Sequence, residues 1–151
     1  MIAERIQELK QALPAGVTLV AVSKFHPVEA LREAYEAGQR VFGESRAQEL
    51  VAKQKQLPTD IEWHFIGPLQ SNKVKEIVPF ISLIHSVDSL KLLQEIEKQA
   101  AKHNRIVDVL LEIHVAEEVT KHGLTPEACR ELLASEAMAQ LTHVRVCGLM
   151  G

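Results

Sequence analysis

Six short runs that are rich in apolar residues alternate along this chain with stretches of helical periodicity. The clearest run, at 17–22, is nearly continuous in apolar character, which is typical of a strand buried on both faces of a sheet. A strand is also predicted at 106–115. Helices between successive strands favour parallel pairing, because each crossover returns the chain to the starting edge of the sheet. We therefore predict an α/β protein with a parallel sheet, whose other strands lie at 40–44, 61–67, 82–87 and 144–150.

Apolar residues at helical spacing mark the segments between the strands. Ile2, Ile6, Leu9 and Leu13 form one stripe of an amphipathic first helix, which Pro14 ends. Further helices are predicted at 27–38, at 45–56, at 71–78, from Asp88 or Ser89 to Ala100, and from Thr125 onward.

Six βα units over 151 residues are two fewer than a closed parallel barrel uses, since such barrels have eight units and about 250 residues. We expect one domain over 1–151 that is truncated after the sixth strand, and its six units fit either an open doubly wound sheet or part of a barrel. Its first and sixth strands would then have open edges.

Composition excludes several classes of protein. A net charge of −3 and an aromatic content of 4% leave neither the basic surface nor the stacking platforms that a nucleic-acid binder uses. No apolar run approaches the roughly 18 residues that a bilayer span needs, so we expect no membrane partner. Two cysteines, Cys129 and Cys147, make no disulfide framework and are expected to be small apolar side chains. We expect a cytoplasmic protein.

Polar residues at the carboxyl ends of the strands are the candidates for chemistry, because the loops of parallel α/β proteins converge there. Lys24 follows the first strand directly. If the strand draws this lysine toward the interior, desolvation favours the neutral amine, which can condense with a carbonyl group to form a Schiff base. The alternative is a strand-end lysine that extends its amine into solvent.

The other candidates have equally ordinary structural interpretations. Ser45 and Gln48 have the spacing of a capping box at the start of a helix. His64 lies on the third strand and His85 on the fourth; either is explained as a hydrogen-bonded strand histidine, and no spacing indicates a metal site. Lys121 lies in a polar loop, where it is a solvated charge or an anion contact.

Six segments together closely resemble the pyridoxal phosphate homeostasis protein family: residues 20–24 (VAVSK), 42–45 (FGES), 63–73 (WHFIGPLQSNK), 85–89 (HSVDS), 120–123 (TKHG) and 148–150 (GLM). The resemblance implies a barrel like the N-terminal domain of alanine racemase, with pyridoxal 5′-phosphate held as a Schiff base on Lys24. It also implies that Ser45 and His64 line the pocket, that Met150 packs near the cofactor, and that Lys121 offers a second cationic contact.

The same resemblance implies a carrier or regulator of the cofactor, monomeric at full length, with enzymes that need pyridoxal phosphate as partners. In the family the phosphate-binding loops follow later strands than this sequence contains. The sequence thus has the covalent handle without that anion site, so we expect weak binding of the cofactor or a longer natural protein.

Two other functions fit the same lysine. An amino-acid racemase would use pyridoxal phosphate on Lys24, and a cofactor-free aldolase would form its Schiff base with a sugar phosphate directly. Turnover needs an acid or base on each face of the reacting centre, and no such pair is identifiable in the sequence. This favours a carrier over an enzyme.

Overall fold

A computed structural model describes residues 1–115 and 123–151 of the chain. Within them the elements follow the predicted alternation of helix and strand. In chain order they are α1 Ile2–Ala12, β1 Ala21–Val22, α2 Val28–Glu36, β2 Val41–Glu44, α3 Ala47–Gln56, β3 Glu62–Phe65, a 3₁₀ turn Ser71–Lys73, α4 Val74–Ile77, β4 Leu83–Val87, α5 Leu90–Lys102, β5 Val107–Glu112, α6 Pro126–Ala134, α7 Glu136–Ala139 and β6 Val144–Met150.

The strands form one six-stranded sheet in the order β1-β2-β3-β4-β5-β6. Every neighbouring pair is parallel, so all six strands end at the same edge of the sheet. The predicted parallel α/β fold is confirmed. β1 and β6 are the first and last strands in this order.

One layer of helices covers one face of the sheet, and the core lies between the two. Phe42 of β2 lies beside Trp63 of β3 with ring centres 5.9 Å apart. Phe42 also lines an apolar cavity of about 220 Å³ with Ile6, Leu31 and Ala34 from α1 and α2. Burial of such side chains, at about 25 cal/mol for each Å² of apolar area, is the main source of stability.

Several predicted boundaries were wrong in detail. The first strand is only the two residues Ala21–Val22, although the apolar run is longer, because only these residues pair with β2. The helix predicted at 71–78 is a 3₁₀ turn followed by one α-helical turn, Val74–Ile77.

Helix caps show which local signals were decisive. The Oγ of Ser89 accepts the N–H of Leu92, and the Oγ1 of Thr125 accepts the N–H of Ala128, so serine rather than Asp88 caps α5. The capping box predicted at Ser45 was wrong: Arg46 is the N-cap of α3 and makes no side-chain cap hydrogen bond.

Cys129 is buried in α6, as expected, whereas Cys147 on β6 is exposed. The expectation of two small core side chains was therefore wrong for Cys147. No helix among residues 1–115 and 123–151 has the length and apolar character needed to cross a bilayer.

Candidate functional site

The carboxyl edge of the sheet brings together the turn after β1 and the first residues after β2 and β3. Backbone hydrogen bonds extend past the strands there. The N–H of Ser23 donates to the carbonyl oxygen of Gly43 at 2.9 Å, and the N–H of Ile66 donates to the backbone carbonyl oxygen of Glu44 at 2.9 Å. The start of each connection is thus held against its neighbour. Lys24, directly after Ser23, lies at this edge.

Lys24 is the second residue of a tight turn. The N–H of His26 donates to the carbonyl oxygen of Ser23 at 3.1 Å and closes the turn. The expectation that the strand draws Lys24 into the interior was wrong, because β1 ends at Val22 and the lysine is exposed. Within the described part of the chain, nothing forms a hydrogen bond or ion pair with its side chain. None of the described residues therefore occupies its amine.

The backbone next to Lys24 is strained. Phe25 has a φ of +66°, in the left-handed region that turns of this kind normally give to Gly or Asn. For a residue with a side chain this conformation costs about 1–2 kcal/mol. The guanidinium of Arg46 lies 4.8 Å from the centre of the Phe25 ring, a cation–π contact that helps to hold the ring at the surface.

A group of buried charges lies beneath the turn. Lys53 of α3 donates to the carbonyl oxygen of Ser23 at 2.7 Å, to Glu44 at 2.8 Å and to Glu49 at 2.7 Å. The hydroxyl of Ser23 donates to Glu44 at 2.5 Å. The N–H of Phe25 donates to Glu49 at 2.7 Å. We call Glu44, Glu49 and Lys53 the ion network.

Glu49 is held ionised by these contacts. Partial burial by itself works to raise the pKa of Glu49, but the hydrogen bonds from Lys53 and from the N–H of Phe25 outweigh it and leave the pKa below its ordinary value. At neutral pH the network therefore presents a carboxylate to the backbone of the turn.

His64 and His85 lie on the other face of the sheet from the Phe42 and Trp63 rings. The Nδ1 of His64 is 2.9 Å from the Nε2 of His85, so one imidazole donates to the other. Burial, together with repulsion from His85, lowers the pKa of His64 to about 4; burial also lowers the pKa of His85. Both are neutral at pH 7. The interpretation of His64 as a hydrogen-bonded strand histidine is consistent with this geometry.

The low pKa of His64 predicts an acid-sensitive stability. Below pH 6.5 the unfolded chain binds a proton that folded His64 binds only near pH 4. The protein is therefore most stable above pH 6.5. Its free energy of unfolding falls by about 3 kcal/mol as the pH falls toward 4, since each unit of pKa is worth about 1.4 kcal/mol. Urea unfolding of wild type and His64→Gln across this range measures it; parallel pH profiles of the two proteins would contradict the prediction.

Ser45, the first residue after β2, lies against the glycine that follows β3. A Cβ added to Gly67 would come within 2.8 Å of the Cβ of Ser45 and 3.0 Å of its carbonyl oxygen. Ser45 also borders a surface groove of about 320 Å³ with Arg46, Phe65 and Leu69. The close approach of the two connections depends on glycine at position 67.

Gly67→Ala is expected to destabilise the protein by about 1–3 kcal/mol, because the new methyl group overlaps backbone that cannot move independently. Urea unfolding measures the loss. Gly148→Ala is the matched control: its Cβ would meet only the Cδ2 of Leu110, at an ordinary 3.5 Å. Equal effects of the two substitutions would show that the approach of Ser45 is not limiting.

Two predicted site residues remain, Met150 and Lys121. Met150 ends β6 and is half-buried; its carbonyl oxygen accepts the N–H of Ile113 at 2.8 Å. In sheet order β6 is the strand farthest from β1. Lys121 lies outside the described residues. Among the residues that are described, no three His, Cys, Asp or Glu side chains are grouped to hold a metal ion.

Sequence reasoning missed the ion network. Glu49 and Lys53 are four residues apart in α3, a spacing that usually marks an exposed pair on a helix. The only available signal was Glu44, a charged residue at the end of an otherwise apolar strand, which needs a buried partner.

Comparison with known proteins agrees with this fold. The family model for "Alanine racemase, N-terminal domain" matches residues 1–151. The pyridoxal phosphate homeostasis protein of Aquifex aeolicus is 44% identical over 151 residues, covering 97% of this chain and 65% of the relative. The chain thus spans about two thirds of that relative's length.

Two solved structures show the same architecture. PipY of Synechococcus elongatus with PLP bound is 42% identical with a TM-score of 0.90, over 99% of this chain and 69% of PipY. Alanine racemase from E. faecalis shares the fold at 18% identity with a TM-score of 0.77, over 98% of this chain and 40% of the racemase. The chain therefore belongs to the alanine racemase N-terminal domain family, and within it to the pyridoxal phosphate homeostasis proteins.

Proposed function

We propose that this chain, as one domain, binds pyridoxal 5′-phosphate covalently through Lys24 and takes part in supplying the cofactor to enzymes that need it. The observation that carries the proposal is the exposed Lys24 amine, free of partners among the described residues, at the carboxyl edge of a sheet like that of PipY with PLP bound. Relatives named pyridoxal phosphate homeostasis protein support the role.

The residues present fit the covalent part of such a site. Bound pyridoxal phosphate supplies an aldehyde. Lys24 would hold the cofactor by condensation of its amine with that aldehyde, with loss of water. No carboxylate of the described residues pairs with this amine, so none of them has to release it before it reacts.

Neutral His64 and His85 offer hydrogen-bonding groups without charge. Their mutual hydrogen bond occupies one ring nitrogen of each, and their low pKa values keep them uncharged at neutral pH. They can donate or accept a hydrogen bond toward a ligand without adding positive charge. In this proposal His64 and Ser45 line the pocket, and Met150 and Lys121 are further contacts.

Two ligands that differ only in the reacting group test the proposal. Pyridoxal 5′-phosphate carries the aldehyde, whereas pyridoxine 5′-phosphate carries an alcohol at that carbon. We expect equilibrium dialysis to retain the aldehyde more strongly and the visible spectrum to change only with the aldehyde. Equal retention, with no spectral change, would mean that the protein binds the ring and phosphate without using a lysine.

Turnover separates this function from a racemase. The protein loaded with pyridoxal phosphate is incubated with L-alanine or L-serine, and the D-isomer is measured by chiral chromatography. The carrier function predicts none above a blank that contains the free cofactor. Sustained formation of the D-isomer would contradict the carrier function and show that the protein is an amino-acid racemase.

A further inference from the structure

The ion network holds the backbone on both sides of Lys24. Lys53 donates to the carbonyl oxygen of Ser23, which belongs to the peptide group before the Cα of Lys24. Glu49 accepts the N–H of Phe25, which belongs to the peptide group after it. Since Lys53 and Glu49 also pair with each other at 2.7 Å, one ion pair fixes the orientation of both peptide groups.

The rest of the network secures that pair from below. Glu44 is fully buried; its Oε2 accepts both Lys53 and the Ser23 hydroxyl. All three hydrogens of the Lys53 ammonium are thereby used. The strained φ of Phe25 persists because the contacts of Glu49 and Arg46 determine its position.

A contribution to the free energy of unfolding does not by itself explain this arrangement. Two carboxylates share one ammonium, and the Oε1 of Glu44 is buried with no hydrogen-bond partner among the described residues. Apolar side chains of similar volume commonly do as well as buried ion pairs. Among the described residues, the side-chain hydrogen bonds that leave the network all end on Ser23 or Phe25, the two neighbours of Lys24.

We propose that Glu44, Glu49 and Lys53 are positioning residues that fix the turn around Lys24 so that its amine meets an incoming aldehyde from one direction. The proposal rests on the proposed function of Lys24. The network does not touch the ligand; it restricts the backbone from which the lysine side chain extends. Removal of the Glu49 contacts is expected to slow capture of pyridoxal phosphate even while the protein stays folded.

Glu49 is the residue to substitute, because it is only partly buried and its loss leaves Lys53 paired with Glu44. Glu49→Ala removes the acceptor for Phe25, and Glu49→Gln restores an acceptor without the charge. Glu76→Ala is the matched control, since it removes an ion pair with Lys73 three residues away on another helix. Full unfolding curves are measured for all variants.

Two readouts follow the turn itself. Hydrogen exchange of the Phe25 amide, measured by NMR without ligand, is expected to quicken about tenfold in Glu49→Ala, and the rate of pyridoxal phosphate capture, followed by visible absorption, to fall about tenfold. Glu49→Gln is expected to recover most of both. Glu76→Ala is expected to match wild type in both.

The outcomes distinguish the two proposals. If wild type captures pyridoxal phosphate and Glu49→Ala captures it at the same rate, the positioning role is overturned and the function of Lys24 is left intact. Failure of wild type itself to capture pyridoxal phosphate would overturn the proposed function, and the positioning role with it. If Glu49→Ala and Glu76→Ala both capture pyridoxal phosphate more slowly, each in proportion to its loss of stability, the positioning role is also overturned.

Discussion

Lys24→Ala is expected to abolish the change in visible absorption that pyridoxal phosphate produces with the wild-type protein. The substitution removes the amine at the turn after β1 and leaves the buried residues around it in place, because the Lys24 side chain makes no hydrogen bond or ion pair within the described residues. The free energy of unfolding is expected to change by less than about 0.5 kcal/mol. Spectrophotometric titration and urea unfolding measure the two effects.

Lys24→Arg separates charge from nucleophilicity. Arginine keeps the positive charge but stays protonated in proteins, so its guanidinium does not condense with an aldehyde. We expect it to lose the spectral change as fully as alanine does. Lys55→Ala, at an exposed lysine of α3, is the control and should keep the wild-type spectrum. Retention of the spectral change in both Lys24 variants would remove this lysine from the site.

Lys53→Met is expected to cause the largest loss of stability, about 3–5 kcal/mol. Methionine fills much of the same space, but it leaves Glu44 fully buried with no cation beside it, and a buried charge without its partner is strongly destabilising. The carbonyl of Ser23 also loses a donor. Urea unfolding at neutral pH measures the loss.

Two further variants test the reason for that loss. Lys55→Met, two residues along the same helix but exposed, should change the free energy of unfolding by less than about 0.5 kcal/mol. Adding Glu44→Gln to Lys53→Met removes the buried charge and should recover part of the stability. If Lys53→Met behaves like Lys55→Met, the ion network is not a buried charge pair in solution.

The succession of helices and strands along the chain was predictable because each element is a local feature. The strand predicted at 106–115 contains β5, which spans Val107–Glu112. Ser89 and Thr125 precede helical periodicity and cap the helices that follow. Parallel pairing followed from the alternation of helix and strand, and no long-range contact had to be known.

The environment of Lys24 was not predictable, because it depends on contacts between distant residues. The Nζ of Lys53 reaches a carbonyl 30 residues away in sequence, and nothing near Ser23 in the sequence signals that donor. Where β1 stops depends on its pairing with β2, and so the exposure of Lys24 does too. Ser45 has a capping sequence, but its backbone packs against Gly67 instead, which moves the start of α3 to Arg46.

The most direct measurement is borohydride reduction of the protein mixed with pyridoxal phosphate, followed by mass mapping of the peptides. Reduction converts the C=N bond to a stable amine and records which lysine formed it. The proposed function predicts one pyridoxyl group, on Lys24. Adducts spread over the exposed lysines in wild type, with Lys24 no more modified than Lys55, would contradict it.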